Sequence, residues 1–301
     1  MSEKMKAAVY EGIGKITVRE AEKPRVSSDN ILVRVKACAI CGTDIRTFRH
    51  GKSNVKPPQI IGHELSGVVE EVGTDARGYK KGDRVAVAAI VSCGKCRYCL
   101  KGARNLCESF GAIGYEHPGG FAEYVSVPAP MLLDGSVNVF PETLSFEEAA
   151  LAEPFACAIN GQELSRVCEG NVVLVIGAGP IGCMHIGIAK SRGAAKVMQA
   201  EMIPERLEMA RKYGADAYIN PSREDLAERV KMETDGRGAD VVIVAAPSAR
   251  AQELALDLAG NHGRIDFFGG LPKDNPFVKL DSNKIHYKEL TIHGTSGWRW
   301  S

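Results

Sequence analysis

The sequence carries almost no excess charge: 38 Lys and Arg stand against 37 Asp and Glu, a formal net charge of +1. That balance leaves no electrostatic footprint for nucleic acid or an anionic membrane. No apolar run approaches the length of a membrane span. The opening residues, MSEKMKAAVYEGIGK, lack the apolar core of a secretory signal. A cytoplasmic protein is therefore expected. The sequence has no internal repeats and no low-complexity segment. A disulfide framework is also missing, because nine cysteines are an odd number and the expected compartment is reducing. What is there, 45% hydrophobic and 25% charged over 301 residues, suits an ordinary globular chain with room for two domains.

The cysteines are unevenly placed. Residues 93–107, CGKCRYCLKGARNLC, hold Cys93, Cys96, Cys99 and Cys107 at spacing C-x2-C-x2-C-x7-C. The stretch is too compact for two unstrained disulfides. Metal is the better account. An iron–sulfur run closes its last gap in three residues and continues with proline, whereas here the gap is seven residues and Glu108 follows. Zinc tolerates that gap, and Gly94 and Gly102 let the loop fold around a tetrahedral ion. Four thiolates leave no open position, so such a zinc is structural and the chemistry lies elsewhere.

The second half alternates strand and helix. NVVLVIGAGPIG (171–182) is an apolar strand running into glycines, and a helix follows. Gly177, Gly179 and Gly182 fit G-x-G-x-x-G, with Pro180 and Ile181 opening the helix. In this context the turn predicts a dinucleotide pyrophosphate at the helix N-terminus. The next strand, AKVMQAE, ends in Glu201, nineteen residues after Gly182, placed to accept hydrogen bonds from a ribose. No Arg or Lys adjoins Glu201, so NAD is favoured over NADP, although Arg206 is near. Ser222 is expected to open a charged helix, and DVVIVAA, GRIDFFGG and ELTIHG complete six strands. The expected division is 1–157 and 158–301, the latter a doubly wound Rossmann domain.

The first half reads as mostly β. ILVRVKACAIC, SGVVEEVG and DRVAVAAIV alternate between turn residues, with little helical periodicity before Phe146. Three stretches there carry candidate chemistry. CAICGTD holds Cys38 and Cys41; no βαβ pattern surrounds this C-x-x-C, so Cys38 reads as a core cysteine. GHELSG holds His63 and Glu64, and Gly67 in place of a second histidine excludes a metalloprotease helix. AEPFA holds Glu153, an acid among apolar residues that needs a partner if buried.

Together, CGTD, GHExxG, the four-cysteine lobe and the G-x-G-x-x-G domain resemble the zinc-containing medium-chain alcohol dehydrogenase family. LAEPFACAING and GRIDFFGGLPKD are similar to its sorbitol (L-iditol) and threonine dehydrogenase branch. The resemblance implies an α/β architecture: an N-terminal β-rich GroES-like catalytic domain, then the Rossmann domain. It implies two zinc ions. One would be structural, and one catalytic on Cys41, His63 and either Glu64 or Glu153. That catalytic ion would lower the pKa of a substrate hydroxyl so that hydride passes from its carbon to NAD. Thr43 would take the alcohol proton. Many relatives place a proton-relaying histidine where this sequence has Arg46, which cannot act as a neutral base. The implied reaction turns a polyol or other secondary alcohol into a ketone, with threonine and butanediol as alternatives. A homo-oligomer, dimer or tetramer, is implied through the Rossmann domain. Relatives return to the first domain after the last Rossmann strand, whereas TIHGTSGWRWS leaves nothing to make that return. A non-catalytic zinc- and NAD-binding remnant is thus a further expectation, with weak turnover at best.

Overall fold

The computed structural model describes residues 3–299. The chain forms two compact units, Met1–Pro154 with Arg299–Ser301 and Phe155–Trp298. No helix of the described residues is long and apolar enough to cross a membrane.

The first unit is built on an antiparallel five-stranded sheet, in the order Val137–Val139, Arg84–Val87, Glu64–Val72, Ile31–Ala39, Tyr124–Val127. Alternate residues face its core: Ile31 and Val33, Val85 and Val87, Val125 and Val127 are all buried in one cluster. This period of two is the alternation seen in the sequence. Strands Ile31–Ala39 and Glu64–Val72 pair from Ile31↔Val72 to Ala39↔Glu64. That register brings the residues after Ala39 alongside those before Glu64. A nine-residue helix, Gly42–His50, then leaves the sheet. The sequence reading missed it, because only two of its residues, Asp44 and Thr47, are buried and both are polar. A helix with so little apolar face shows no hydrophobic stripe.

The second unit holds a six-stranded sheet that is parallel throughout. Counted along the chain, its strands lie in the order 3-2-1-4-5-6, from Ala217–Ile219 at one edge to Thr291–Gly294 at the other. This is the doubly wound arrangement that places a ligand at the C-terminal ends of the central strands. Both faces are buried. Leu174, Ile176, Met198, Val242, Val244 and Ile265 belong to one core cluster. Val173, Val175, Val197, Val241 and Ile243 belong to the other. Each such side chain contributes about 1.5–3 kcal/mol when fully buried. The helix expected from Ser222 begins later, at Leu226–Glu233. The Asn220 carboxamide accepts from the Ser222 amide and hydroxyl and holds a turn there, and Asp225 caps the helix by accepting from the Glu228 amide.

Two polar side chains are fully buried in this sheet, Gln199 and Asp266. Asp266 has no exposed surface. The Thr295 hydroxyl lies 2.9 and 3.0 Å from its two oxygens, and His293 Nε2 stands 3.8 Å from it, paired across adjacent strands. Burial pushes the Asp266 carboxyl up to about 7, against the Thr295 hydrogen bond. On the helix Pro180–Ser191, His185 is also fully buried, and burial holds it down at about 3.

Candidate metal and cofactor sites

The strand register sets up the first site. Cys41 follows the strand Ile31–Ala39 by two residues, and His63 immediately precedes Glu64–Val72. Cys41 also stands at the N-terminal end of the helix Gly42–His50. There the Asp44 carboxylate accepts a hydrogen bond from the Cys41 amide at 2.9 Å, an acid at the third helical position holding the helix start. The other Asp44 oxygen lies 3.5 Å from His63 Nδ1. One buried carboxylate thus orients both residues and leaves the second imidazole nitrogen for a ligand, as the outer partners of metal-bound histidines do.

One ligand atom each from Cys41, His63 and Glu64 lies within 4.8 Å of the others. His63 and Glu64 are buried, at 4% and 6% exposure. Burial opposes charge on His63, but the Asp44 and Cys41 hydrogen bonds and the charges of Cys41 and Glu153 outweigh it, holding the imidazole up at about 11. Burial raises the Glu64 carboxyl, against the attraction of His63. Thiolate, neutral imidazole and carboxylate are the forms that ligate, so these groups would release protons to a divalent cation. The mixed sulfur, nitrogen and oxygen set fits zinc, and three protein ligands leave a position for substrate. Of the two glutamates that the sequence left open, the close set contains Glu64. Glu153 stands outside it, half-buried in the first turn of the helix Ala152–Leu164, and its charge still bears on His63 and Tyr115.

Thr43 lies on the first turn of the Gly42–His50 helix. Its Oγ1 accepts from Arg46 Nη2 at 3.1 Å, and Arg46 itself is exposed. Tyr115 was not singled out from the sequence. Its ring centroid is 5.1 Å from that of His63, at 57°, and Lys52 Nζ sits 4.6 Å from the Tyr115 ring centroid. Burial, then the charges of Cys41, Glu153 and Asp44, push its phenol far above the usual range, so it is a donor. No periodicity marks Tyr115, whereas Asp44 could have been found from its place three residues after Cys41. Cys38 lies in the strand Ile31–Ala39, and burial pushes its thiol up to about 12, the state of an inert cysteine.

The four loop cysteines also converge. Their sulfurs lie within 4.8 Å of one another, with Cys93–Cys99 at 3.9 Å and Cys96–Cys99 at 3.5 Å. A tetrahedron with Zn–S bonds of about 2.3 Å has sulfur–sulfur edges of about 3.8 Å. The quartet fits one ion and is too tight for a multi-iron cluster. The Glu108 and Cys99 amides hold the Cys96 thiol down at about 6, toward the thiolate. Burial instead pushes Cys99 up to about 12, a penalty that a bound cation would offset. All nine cysteines are free thiols.

In the second unit, Gly177 has φ +113°, and a Cβ on Gly182 would lie 2.0 Å from the Gly177 carbonyl oxygen. Both positions therefore require glycine. A Cβ on Gly179 would meet nothing within 4 Å, so open space lies over the turn. The helix Pro180–Ser191 starts there, with Gly179 as its N-cap, Pro180 first and Ile181 next. The free amides of such a first turn suit a pyrophosphate. Glu201 follows the strand Lys196–Ala200. Its two oxygens accept from the Ala178 and Ile203 amides, each at 3.0 Å, so the acid is tied to the glycine turn itself. Arg206 lies exposed on the following helix, Pro204–Ala210.

Comparison with known proteins agrees with both halves. A family profile described as the alcohol dehydrogenase GroES-like domain matches residues 27–136, and one described as zinc-binding dehydrogenase matches residues 180–300. The chain is 37% identical to the L-threonine 3-dehydrogenase of Pyrococcus horikoshii, over 99% of this chain and 84% of that protein. It is 34% identical to the sorbitol dehydrogenase of Bacillus subtilis, over 96% of this chain and 81% of that one. A zinc-binding dehydrogenase of Sinorhizobium meliloti, solved with NADP, superposes with a TM-score of 0.92 at 34% identity, covering 99% of this chain and 86% of that one. Taken with the doubly wound sheet and its preceding β-rich unit, these matches establish that the chain belongs to the zinc-containing medium-chain alcohol dehydrogenase family.

Proposed function

We propose that the chain oxidises a polyol or related secondary alcohol to the ketone, as a sorbitol or L-iditol 2-dehydrogenase does, with NAD as hydride acceptor. The observation that carries this reading is the Cys41–His63–Glu64 set, with Thr43 on the adjoining helix. When bound, zinc supplies Lewis-acid polarisation of an alcohol oxygen and NAD supplies the hydride-accepting ring. The chain's residues do the rest. Asp44 keeps His63 and Cys41 in register. Thr43 Oγ1 takes the alcohol proton. Arg46 donates to that same oxygen and cannot accept the proton in turn, so the proton leaves through water. Tyr115 covers one side of the His63 ring and restricts water there. The close ligand set favours an enzyme over a non-catalytic remnant. NADH formation by zinc-loaded protein, followed with sorbitol, galactitol, L-threonine and 2,3-butanediol, tests the reading. No turnover with any secondary alcohol would sink it.

We assign Cys93, Cys96, Cys99 and Cys107 to a second, structural zinc. Elemental analysis should then find about two zinc equivalents per chain, and iron with visible absorbance would overturn the assignment. Glu201 supports NAD over NADP, because a carboxylate pairs with a 2′-hydroxyl and repels a 2′-phosphate. Glu201→Ala should weaken NAD binding about tenfold and narrow the gap to NADP, the scale of a lost hydrogen bond to a charged group. Tighter binding of NADP than of NAD by the unaltered protein would contradict this. The strand Thr291–Gly294 ends the sheet, and its open edge supports association of two copies through the Rossmann domains.

A further inference from the structure

The segment joining the two ligand motifs has an unusual charge. Between Asp44 and Glu64 the chain carries Arg46, Arg49, Lys52, Lys56 and His50, with no Asp or Glu. In a chain whose charges otherwise balance to +1, this is a local excess of four fixed positive charges. Among the described residues, no ion pair is formed by Arg46, Arg49 or Lys56. Arg49 and His50 have a local reason to be there, since they occupy the last turn of the helix Gly42–His50 and complement its negative end. Arg46 does not. It lies mid-helix, three residues after Thr43 and on the same face, and its guanidinium reaches back to Thr43 Oγ1. That bond uses one of five donors. Lys52, beyond the helix end, sits over the Tyr115 ring that lies against His63.

We propose that the substrate is an alcohol bearing an anionic group, phosphate or carboxylate, and that Arg46 receives this group while the hydroxyl is presented beside Thr43. This rests on the proposed dehydrogenase reading and narrows its substrate class. A guanidinium with free donors in a planar fork matches two oxygens of a phosphate or carboxylate. Lys52 adds a second positive charge on the Tyr115 side. The anion takes no part in the hydride transfer. It fixes which carbon is presented, in the way a remote charged group on a substrate orients the reacting centre. Arg46 is therefore a specificity-determining residue, and it stands where a proton relay would have been sought.

The test compares sorbitol 6-phosphate, L-threonine and neutral sorbitol on the zinc-loaded enzyme with NAD. Either anionic alcohol should exceed sorbitol in kcat/KM by about tenfold or more, and that preference should fall as salt rises. Which of the two is preferred tells phosphate from carboxylate. Arg46→Ala should reduce the anionic-to-neutral preference by roughly 10- to 100-fold, chiefly through KM, the scale of a lost charged hydrogen bond. Arg46→Lys should recover part of it by restoring charge without the fork. Two results overturn the proposal. One is an unaltered enzyme with no preference for either anionic alcohol. The other is an Arg46→Ala enzyme that keeps the preference but binds NADH more weakly by fluorescence titration, which assigns the arginine to a cofactor phosphate. Should no alcohol be turned over, the dehydrogenase reading fails separately. Calorimetric titration of the zinc- and NADH-loaded protein then decides the present point: sorbitol 6-phosphate or L-threonine must bind more tightly than sorbitol, and Arg46→Ala must abolish the difference.

Discussion

His63→Ala is expected to lose about 10³-fold or more in kcat/KM, roughly 4 kcal/mol of transition-state stabilisation, while keeping one zinc equivalent on its four loop thiols. The retained zinc and an unchanged melting curve would separate lost chemistry from lost fold. The imidazole is one of three ligand atoms confined within 4.8 Å, so nothing else in the set replaces it. Asp44→Asn should cost less, about 10- to 100-fold, because the amide oxygen can still accept from the Cys41 amide while the other end no longer supports the His63 ring with a charge. If His63→Ala kept its turnover within tenfold, the assignment of this site as the catalytic one would be wrong.

The second large effect is on stability. Asp266 titrates near 7 in the folded chain, against about 3.9 in an unfolded one. The folded-state value is the higher, so Asp266 favours the fold fully below about pH 4, and this contribution is lost as pH rises through 7. The slope is up to about 1.4 kcal/mol per pH unit within that window. His185, held at about 3, has the opposite sign: below about pH 6.5 the unfolded chain takes up a proton that the folded chain refuses, and stability falls toward pH 3. Asp266→Asn keeps an acceptor for Thr295 and removes the buried charge. The variant should therefore gain more at pH 8 than at pH 5, by on the order of 2 kcal/mol, and keep the acid-side loss due to His185. Urea unfolding at the two pH values reads this directly. Equal gains at both would mean that Asp266 is not buried as a titrating acid.

The features that the sequence made legible are those with local cause. G-x-G-x-x-G is forced by φ at Gly177 and by the approach of Gly182 to the Gly177 carbonyl, both within one turn. The thiol quartet lies within fifteen residues. The six parallel strands announce themselves as apolar runs because both of their faces are covered. What could not be read depends on long-range placement. Glu64 and Glu153 are 89 positions apart, and only the pairing of Ala39 with Glu64 gives one of them to the Cys41–His63 set. Tyr115 reaches His63 from a loop with no period to betray it. The helix after Cys41 escaped notice because its buried residues are polar and its stability comes from the Asp44 contact rather than from an apolar stripe. Asp266 sits in a strand pattern where an apolar residue would be expected, and the strand register, not the sequence, sets His293 beside it.

Glu201 has a consequence for anyone wishing to exchange the nucleotide this scaffold uses. Its carboxylate is a rivet as well as a reader, with one oxygen on Ala178 inside the glycine turn and the other on Ile203. A single truncation at this position leaves two amides without their acceptor and loosens the turn that every dinucleotide shares. Redesign toward a phosphorylated ribose must therefore rebuild the fastening before it adds a cation. Gln is a better starting point than alanine, because its side-chain oxygen has the reach to accept from the Ala178 amide while giving up the charge.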